Sequence, residues 1–391
     1  MIALTPAAPA IDSRAALTFK IKRMAIEHGL TVAAVTTAEE FFGLSEHLED
    51  HIAAGRMDGL DWFTAERARF STDPRNLQPT ARSILSVAVA YWSVDPGKPD
   101  DGVARGRISR YAWGVDYHVL LKRRLTTLLD SIQELVGRPV DARRLVDTAR
   151  IVERAVAARS GLGWYGKNTC ILVPGYGSWV LLGELILDLD LVSDKPLNRN
   201  CGRCSICIDR CPTGAIVGPY TIDTPRCLSF QTIEQRGSIP REIRPLLGDW
   251  VYGCDVCQEV CPYTRAATSG LDPAFLPKTT NNAYPSLQWL LRMTQAEFSA
   301  TYRGTPVPRA KRRGLARNAA VALGNVGTQD DCEALVGALS GHDEPLARGH
   351  AAWALGQLGG KVARAALDQQ RILESDSLVR EEIEFAMLAL H

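Results

Sequence analysis

The stretch Cys201-Gly202-Arg203-Cys204-Ser205-Ile206-Cys207-Ile208-Asp209-Arg210-Cys211-Pro212 decides how this chain is read. Tight turns between the first three cysteines offer three thiolates to one [4Fe–4S] cube, and the fourth, before the proline, serves a second cube. A cube needs a soft ligand at each of four corners, so a run of three has to be completed by a cysteine from elsewhere in the chain.

A partial copy supplies that cysteine: Cys254-x2-Cys257-x3-Cys261-Pro262. Val251 stands where the first cysteine of the copy belongs, and Cys227, upstream, replaces it. Eight thiolates suffice for two clusters. The crossover pairing of two-cluster ferredoxins assigns Cys201, Cys204, Cys207 and Cys261 to cluster one, and Cys211, Cys227, Cys254 and Cys257 to cluster two. Paired C-x2-C motifs also suit zinc, but the Cys-Pro ends and Thr213-Gly214-Ala215-Ile216 favour iron and sulfur. A disulfide framework does not fit a large chain with clustered cysteines and no export signal. Cys170 and Cys332 remain over and are read as small buried hydrophobes.

With 391 residues the chain exceeds one ordinary domain, and 46% apolar residues are enough for real cores. A net charge of +1 gives no long-range attraction for nucleic acid, so any such contact needs a local patch. No apolar run reaches the length of a membrane span. Met1 to Lys20 lacks a basic start followed by an apolar core, so it is not a secretory signal. Reduced thiolates without export point to the cytoplasm, and the lack of a coiled-coil seam to a monomer.

Outward from the cysteines, residues 1–200 mix helical and strand patterns and read as an α/β domain. Ala15 to Glu27 has helical spacing, Ile84 to Tyr91 reads as a buried strand, and Tyr117 to Val136 as a long amphipathic helix. Trp179 to Leu191 reads as a strand broken at Gly183-Glu184. Residues 201–265 form the ferredoxin-like domain, and 266–302 a connector with a helical piece around Leu287 to Tyr302. In 303–391, Leu323 and Leu355, Gly324 and Gly356, and Gly327 and Gly359 repeat at one period, which Arg348 with Arg380 and Ala354 with Ala386 continue. This spacing predicts HEAT-like helical repeats too few to bury a core alone, hence docked on the cluster domain. The expected fold is multidomain α+β.

The repeats are preceded by Arg303, Arg309, Lys311, Arg312, Arg313 and Arg317 with no acid among them. Such a run is either a solvated face or a phosphate grip. A second basic stretch, Arg105 to Arg124, is interleaved with Tyr111, Trp113, Tyr117 and His118.

Several motifs resemble one family. Asp147-Thr148-Ala149-Arg150-Ile151-Val152-Glu153-Arg154 precedes Gly161-Leu162-Gly163-Trp164-Tyr165-Gly166-Lys167-Asn168-Thr169, then Gly177-Ser178 and Gly183-Glu184. Pro219-Tyr220, Arg226-Cys227-Leu228-Ser229-Phe230-Gln231 and Tyr252-Gly253-Cys254-Asp255-Val256-Cys257-Gln258 follow, and Arg110 to His118 also fits. Together they resemble the epoxyqueuosine reductases, cobalamin-dependent iron–sulfur enzymes that finish queuosine in tRNA. Arg150 departs from the family's usual proline.

The resemblance implies a corrin held between the N-terminal and cluster domains, with no protein histidine on cobalt. It implies reduction of an epoxide to an alkene at the wobble base, with electrons passed singly from the clusters. Asp147 is then the proton donor, which requires a raised pKa; its alternative is a helix N-cap. Corrin contacts fall on Ser229, Asp255 and the main chain at Cys254, with Ile171 and Leu182 packing on the ring. Arg67 reaches a corrin amide or is a solvated helix arginine. The partners are a tRNA anticodon loop, gripped by Arg236, Arg309, Lys311, Arg312, Arg313 and Arg317, and an external low-potential electron donor. Three rivals stand beside this: another corrinoid iron–sulfur reductase, such as a reductive dehalogenase, a two-cluster electron carrier, and a zinc-bound interaction protein.

Overall fold

The computed structural model describes residues 13–268 and 272–390. The first twelve residues of the expected N-terminal domain, three of the connector and the last of the repeat lie outside it. The N-terminal region runs α1 (Ser13–Glu27), β1 (Val32–Thr37), α2 (Leu44–Ala53), α3 (Ala65–Thr72), β2 (Ser83–Ala90), β3 (Arg107–Ile108), α4 (Tyr117–Val136), β4 (Ala142–Leu145), α5 (Glu153–Arg159), β5 (Trp164–Tyr165), β6 (Ile171–Leu172) and β7 (Val180–Leu187). Four strands form one sheet in the order β1-β2-β7-β4, and every pair is antiparallel. The expected mixture of helix and strand is therefore present, but on an antiparallel sheet rather than on parallel crossovers.

Helices cover both faces of this sheet. Leu85 and Val87 of β2 and Leu185 of β7 pack with Leu121, Leu125 and Leu128 of α4. The opposite face puts Ile84 and Ile186 against Val156 of α5. All eight residues of β2 are buried, which is why its sequence reads as a largely apolar run with only the small Ser83 and Ser86 among the polar types. β7 does not break at Gly183-Glu184. It continues straight through, with Gly183 opposite Val87 and Glu184 between Ser86 and Leu145. Leu121 and Leu125 of α4 pack over Gly183 at ordinary van der Waals distance, and Glu184 buries a carboxyl completely.

The cysteine-bearing segment adds α6 (Ile206–Asp209), β8 (Ile216–Gly218), β9 (Thr221–Ile222), α7 (Leu228–Ile233), β10 (Trp250–Tyr252), α8 (Val256–Glu259) and α9 (Pro262–Arg265). β10 pairs in parallel with β3, tying the two regions together. The helical piece expected at Leu287 to Tyr302 is two helices, α10 (Leu287–Arg292) and α11 (Gln295–Tyr302), separated where Thr294 caps the second with its side chain.

The repeats are α12 (Lys311–Val326), α13 (Cys332–Gly341), α14 (Pro345–Leu358), α15 (Gly360–Leu373) and α16 (Ser377–Ala389). The period in the sequence is a repeated contact. A Cβ on Gly324 would sit 3.0 Å from the Cα of Ala354, and one on Gly356 would sit 2.9 Å from the Cα of Ala386. Glycine lets α12 close on α14, and one period later lets α14 close on α16.

As expected, the repeats do not bury a core alone. One apolar cluster runs from Ile108 and Tyr252 through Leu287 and Leu290 to Leu323, Leu355 and Ile383. Polar anchors fix the docking. Arg317 donates to the carbonyls of Gln231, Gln235 and Gly237, and Asn318 to those of Thr232 and Val251. Arg244 and Glu382 form a buried ion pair at 2.7 Å.

These contacts correct the phosphate-grip reading. Arg317 is fully buried, and burial together with nearby arginines pushes its pKa down to about 9. Arg312 is also buried and pairs with Asp343. Neither can reach an RNA backbone. Lys311 and Arg313 are exposed.

Candidate active site

Cys201, Cys204, Cys207 and Cys261 line one small enclosed cavity with Lys167 and Tyr263. Lys167 Nζ donates to the carbonyls of Gly202 and Cys204 at 2.8 and 2.9 Å, shaping the turn. Burial and the three neighbouring thiols push Cys207 up to about 11. Such crowding of acidic thiols is what a cationic cluster relieves. Among the described residues no group of His, Cys, Asp or Glu forms a site for a single metal ion; a cube does not ask for one, since each thiolate binds its own iron. Cys211, Cys227, Cys254 and Cys257 form the second set: burial, then Cys227 and Cys211, disfavour the Cys254 thiolate, and Cys254 and Cys227 also act on Cys257. The structure thus brings together in one cavity the four cysteines that the crossover pairing gives to cluster one.

Of the two remaining cysteines, Cys332 is buried in the repeat core as expected. Cys170 is not a bystander. It lies within hydrogen-bonding reach of Cys257, and it lines the cavity next to cluster two.

Two cavities meet at Asp147. The larger, about 670 Å³, is lined by Leu60, Trp62, Arg67, Ser229, Phe230 and Arg309 among others. The smaller, about 360 Å³, is lined by Glu153, Cys170, Ile171, Ser178, Leu182 and Gln258 among others. Tyr111, Tyr117, Asp147 and Arg154 belong to both.

Asp147 has φ 46°, a left-handed conformation that aspartate tolerates better than most residues. It is not a helix cap: α5 begins at Glu153, with Val152 in the cap position. The loop is held from both sides by α3. Arg67 donates to the carbonyls of Thr148 and Ala149 while lying over Trp62, and Arg150 stacks on Phe70 at 3.9 Å. Arg67 is thus a loop brace rather than a solvated arginine. The residue that replaces the family's usual proline holds the loop by its side chain.

Three donors converge on the Asp147 carboxylate. Tyr117 donates at 2.8 Å, Arg309 at 2.8 Å, and His118 Nε2 lies at 3.1 Å. Burial opposes ionisation of Asp147, but the His118 hydrogen bond, the Arg309 charge and the Tyr117 hydroxyl outweigh it and hold the pKa well below the carboxylate range. This corrects the expectation of a raised value: in this arrangement Asp147 is ionised. The proton sits on His118. Burial disfavours its charge, yet hydrogen bonds to Asp116 and Asp147 carry it up to about 9.

The remaining expected contacts divide. Ser229, Ile171, Leu182 and Arg67 line the two cavities. Asp255 does not: it is buried, accepts the main-chain N–H of Arg110 at 2.8 Å, and burial pushes it up to about 6. Arg309 faces Asp147 rather than outward, and Arg236 donates to the Arg309 carbonyl. The sequence reading missed His118, Tyr117, Glu153 and Glu184 as site groups. Glu184 carried a signal, a carboxyl inside an otherwise apolar strand. His118 and Tyr117 lay in the Arg110 to His118 stretch that fits the family, but nothing in it marked them as site groups.

Paired thiolate sets beside a half-buried acid–base chamber define a two-cluster iron–sulfur oxidoreductase. The signature of the 4Fe-4S double cluster binding domain matches residues 200–264, that of epoxyqueuosine reductase QueG matches 72–148, and that of HEAT repeats matches 310–387. An epoxyqueuosine reductase of Xanthomonas campestris is 38% identical over 87% of this chain and 96% of its own. One from Staphylococcus aureus is 36% identical over 89% and 91%. The structure of epoxyqueuosine reductase with an epoxyqueuosine-modified tRNA-Tyr stem loop superimposes with TM-score 0.90 at 32% identity, covering 96% of this chain and 99% of that one. The chain belongs to the epoxyqueuosine reductase family.

Proposed function

We propose that this chain reduces epoxyqueuosine to queuosine at the wobble position of tRNA, passing two electrons through two [4Fe–4S] clusters to cobalamin. The observation that carries this reading is the chamber itself, in which an ionised aspartate, a charged histidine and an arginine meet beside the second thiolate set. The family relationship supplies the substrate.

The residues fit a corrin. Ile171, Val180 and Leu182 offer an apolar floor, Ser229 and Gln258 offer polar edges, and Cys170 marks the side nearest cluster two. When bound, cobalamin supplies a low-valent metal that is both nucleophile and one-electron reductant.

The chain's own residues do the rest. Trp62, half exposed with Arg67 over its face, edges the larger cavity as a platform for a splayed base. Arg309 and Tyr117 hold the Asp147 carboxylate in place, and the proton shared between His118 and Asp147 goes to the departing oxygen. The exposed Lys311 and Arg313 face the phosphates of the anticodon arm, with Arg236, which is bonded to the Arg309 carbonyl, as a further contact. The enzyme acts as a monomer with an external low-potential donor, in the cytoplasm; no helix among the described residues is long and apolar enough to cross a membrane.

The test is an anaerobic preparation loaded with iron, sulfide and cobalamin, given a reductant and a stem-loop carrying epoxyqueuosine. Nucleoside mass should show the loss of one oxygen. No conversion by enzyme holding about eight irons and one cobalt overturns the reading.

A further inference from the structure

Two carboxyl groups lie behind Asp147 that the scheme above does not use. Glu153 opens α5 and accepts the main-chain N–H of Asp147 at 3.2 Å, and it lines the same cavity as Asp147. Glu184 lies in mid-strand in β7, with no exposed surface and no hydrogen-bond partner on either carboxyl oxygen. The neighbouring Ser86 hydroxyl on β2 is also buried without a partner. An isolated carboxylate in such a place costs several kcal/mol of lost hydration. A neutral acid does not.

The charged surroundings lead the same way. Glu184 faces Glu153 of α5 and Asp147 of the loop, both acids, with Ser86 and Leu145 as its strand neighbours. Glu153 feels the Asp147 charge, which raises its pKa, and those of Arg154 and His118, which lower it. Burial and these like charges raise both pKa values. A third carboxyl beside two others has to keep a proton.

We propose that Glu184 stores the second proton of the reaction and delivers it through Glu153, so that the site holds both protons the epoxide oxygen needs. The proposal rests on the epoxide-reduction reading above. In that reaction both C–O bonds break and a C=C bond forms. Two electrons enter from the reduced clusters, and the oxygen leaves as water carrying two protons. One proton comes from the His118–Asp147 couple at the cavity junction. The other comes from Glu184 by way of Glu153, which opens on the same cavity. Water then need not enter until the product leaves, and both stores refill afterwards.

The experiment is a single turnover of the fully loaded, prereduced enzyme on an epoxyqueuosine stem-loop, in weakly buffered medium with a pH indicator. The expected wild-type result is queuosine formation first and proton uptake later. In Glu184→Gln, about one proton should be taken up in step with product, and turnover should fall roughly 10–100-fold with KM unchanged. Wild-type timing and rate in that variant overturn the proposal, as does a wild type that takes up both protons in step with product. Infrared difference spectra keep the question open to an answer should the variant fail to fold. A neutral carboxylic-acid band at neutral pH is expected in the wild type, and its absence also overturns the proposal. A wild type that forms no queuosine at all overturns instead the reading on which the proposal rests.

Discussion

The eight cluster thiolates all lie between Cys201 and Cys261, most within two short runs. The groups around Asp147 come from four separate places: Tyr117 and His118 at the start of α4, Asp147 and Glu153 before and in α5, Glu184 in β7, and Arg309 just ahead of the repeats. A metal cube draws its ligands from local turns, so spacing alone reveals it. Acid–base chemistry needs only that a few groups converge, and convergence is a property of the fold. The electron half of this enzyme is written locally and the proton half is assembled over long range.

The sharpest way to break this contrast is at Cys227, the thiolate whose place no spacing rule fixed. Cys227→Ala should leave about four irons per chain, with cluster one intact, and abolish turnover. Retention of about eight irons in metal analysis would mean that the second set is wrongly drawn.

Arg317 and its neighbours probe the same contrast in the basic segment. Arg317→Met strands the main-chain carbonyls that its guanidinium serves in the interior. It should cost about 3 kcal/mol or more, read as a lowered melting temperature. Lys311→Ala and Arg313→Ala should change stability by less than about 0.5 kcal/mol. Each should instead lower the salt dependence of tRNA binding by about one phosphate contact. A stable Arg317→Met variant with weakened tRNA binding would restore the phosphate grip for that residue.

pH gives a finer probe. The His118 pKa is raised from 6.5 to about 9, so its bond to Asp147 is fully present below 6.5 and is lost as pH climbs through 9. Turnover should therefore decline with a one-proton slope around pH 9, and His118→Gln should remove that limb. The smallest effect is expected at Arg150. Arg150→Pro removes the stack on Phe70 but stiffens the loop backbone, so turnover should change only a few-fold, read as kcat with KM steady.

Much of the fold was legible because local rules governed it. Tyr117 to Val136 carries its helical stripe and ends at a left-handed Gly137. The repeated Gly324 and Gly356 record the close helix contacts at which each is needed. The strand at Gly183-Glu184 was misread because a glycine and a charge are ordinary breakers; here both keep the ladder's register, opposite Val87 and Ser86, and burial favours the neutral form of Glu184. The basic run misled for the same reason. Sequence shows that six cations are present, but only the fold turns Arg317 onto carbonyls, Arg312 onto Asp343 and Arg309 onto Asp147.

The central claim is that electrons from the second cluster and a proton that His118 holds against the Asp147 carboxylate meet in one chamber. Asp147→Asn tests it most directly. Prereduced, cobalamin-loaded variant and wild type would be mixed with an epoxyqueuosine stem-loop and followed by nucleoside mass over one turnover. The account predicts the full iron and cobalt content, unchanged stem-loop binding, and a rate of queuosine formation lower by about 10²–10⁴-fold. Queuosine formed at the wild-type rate would contradict it.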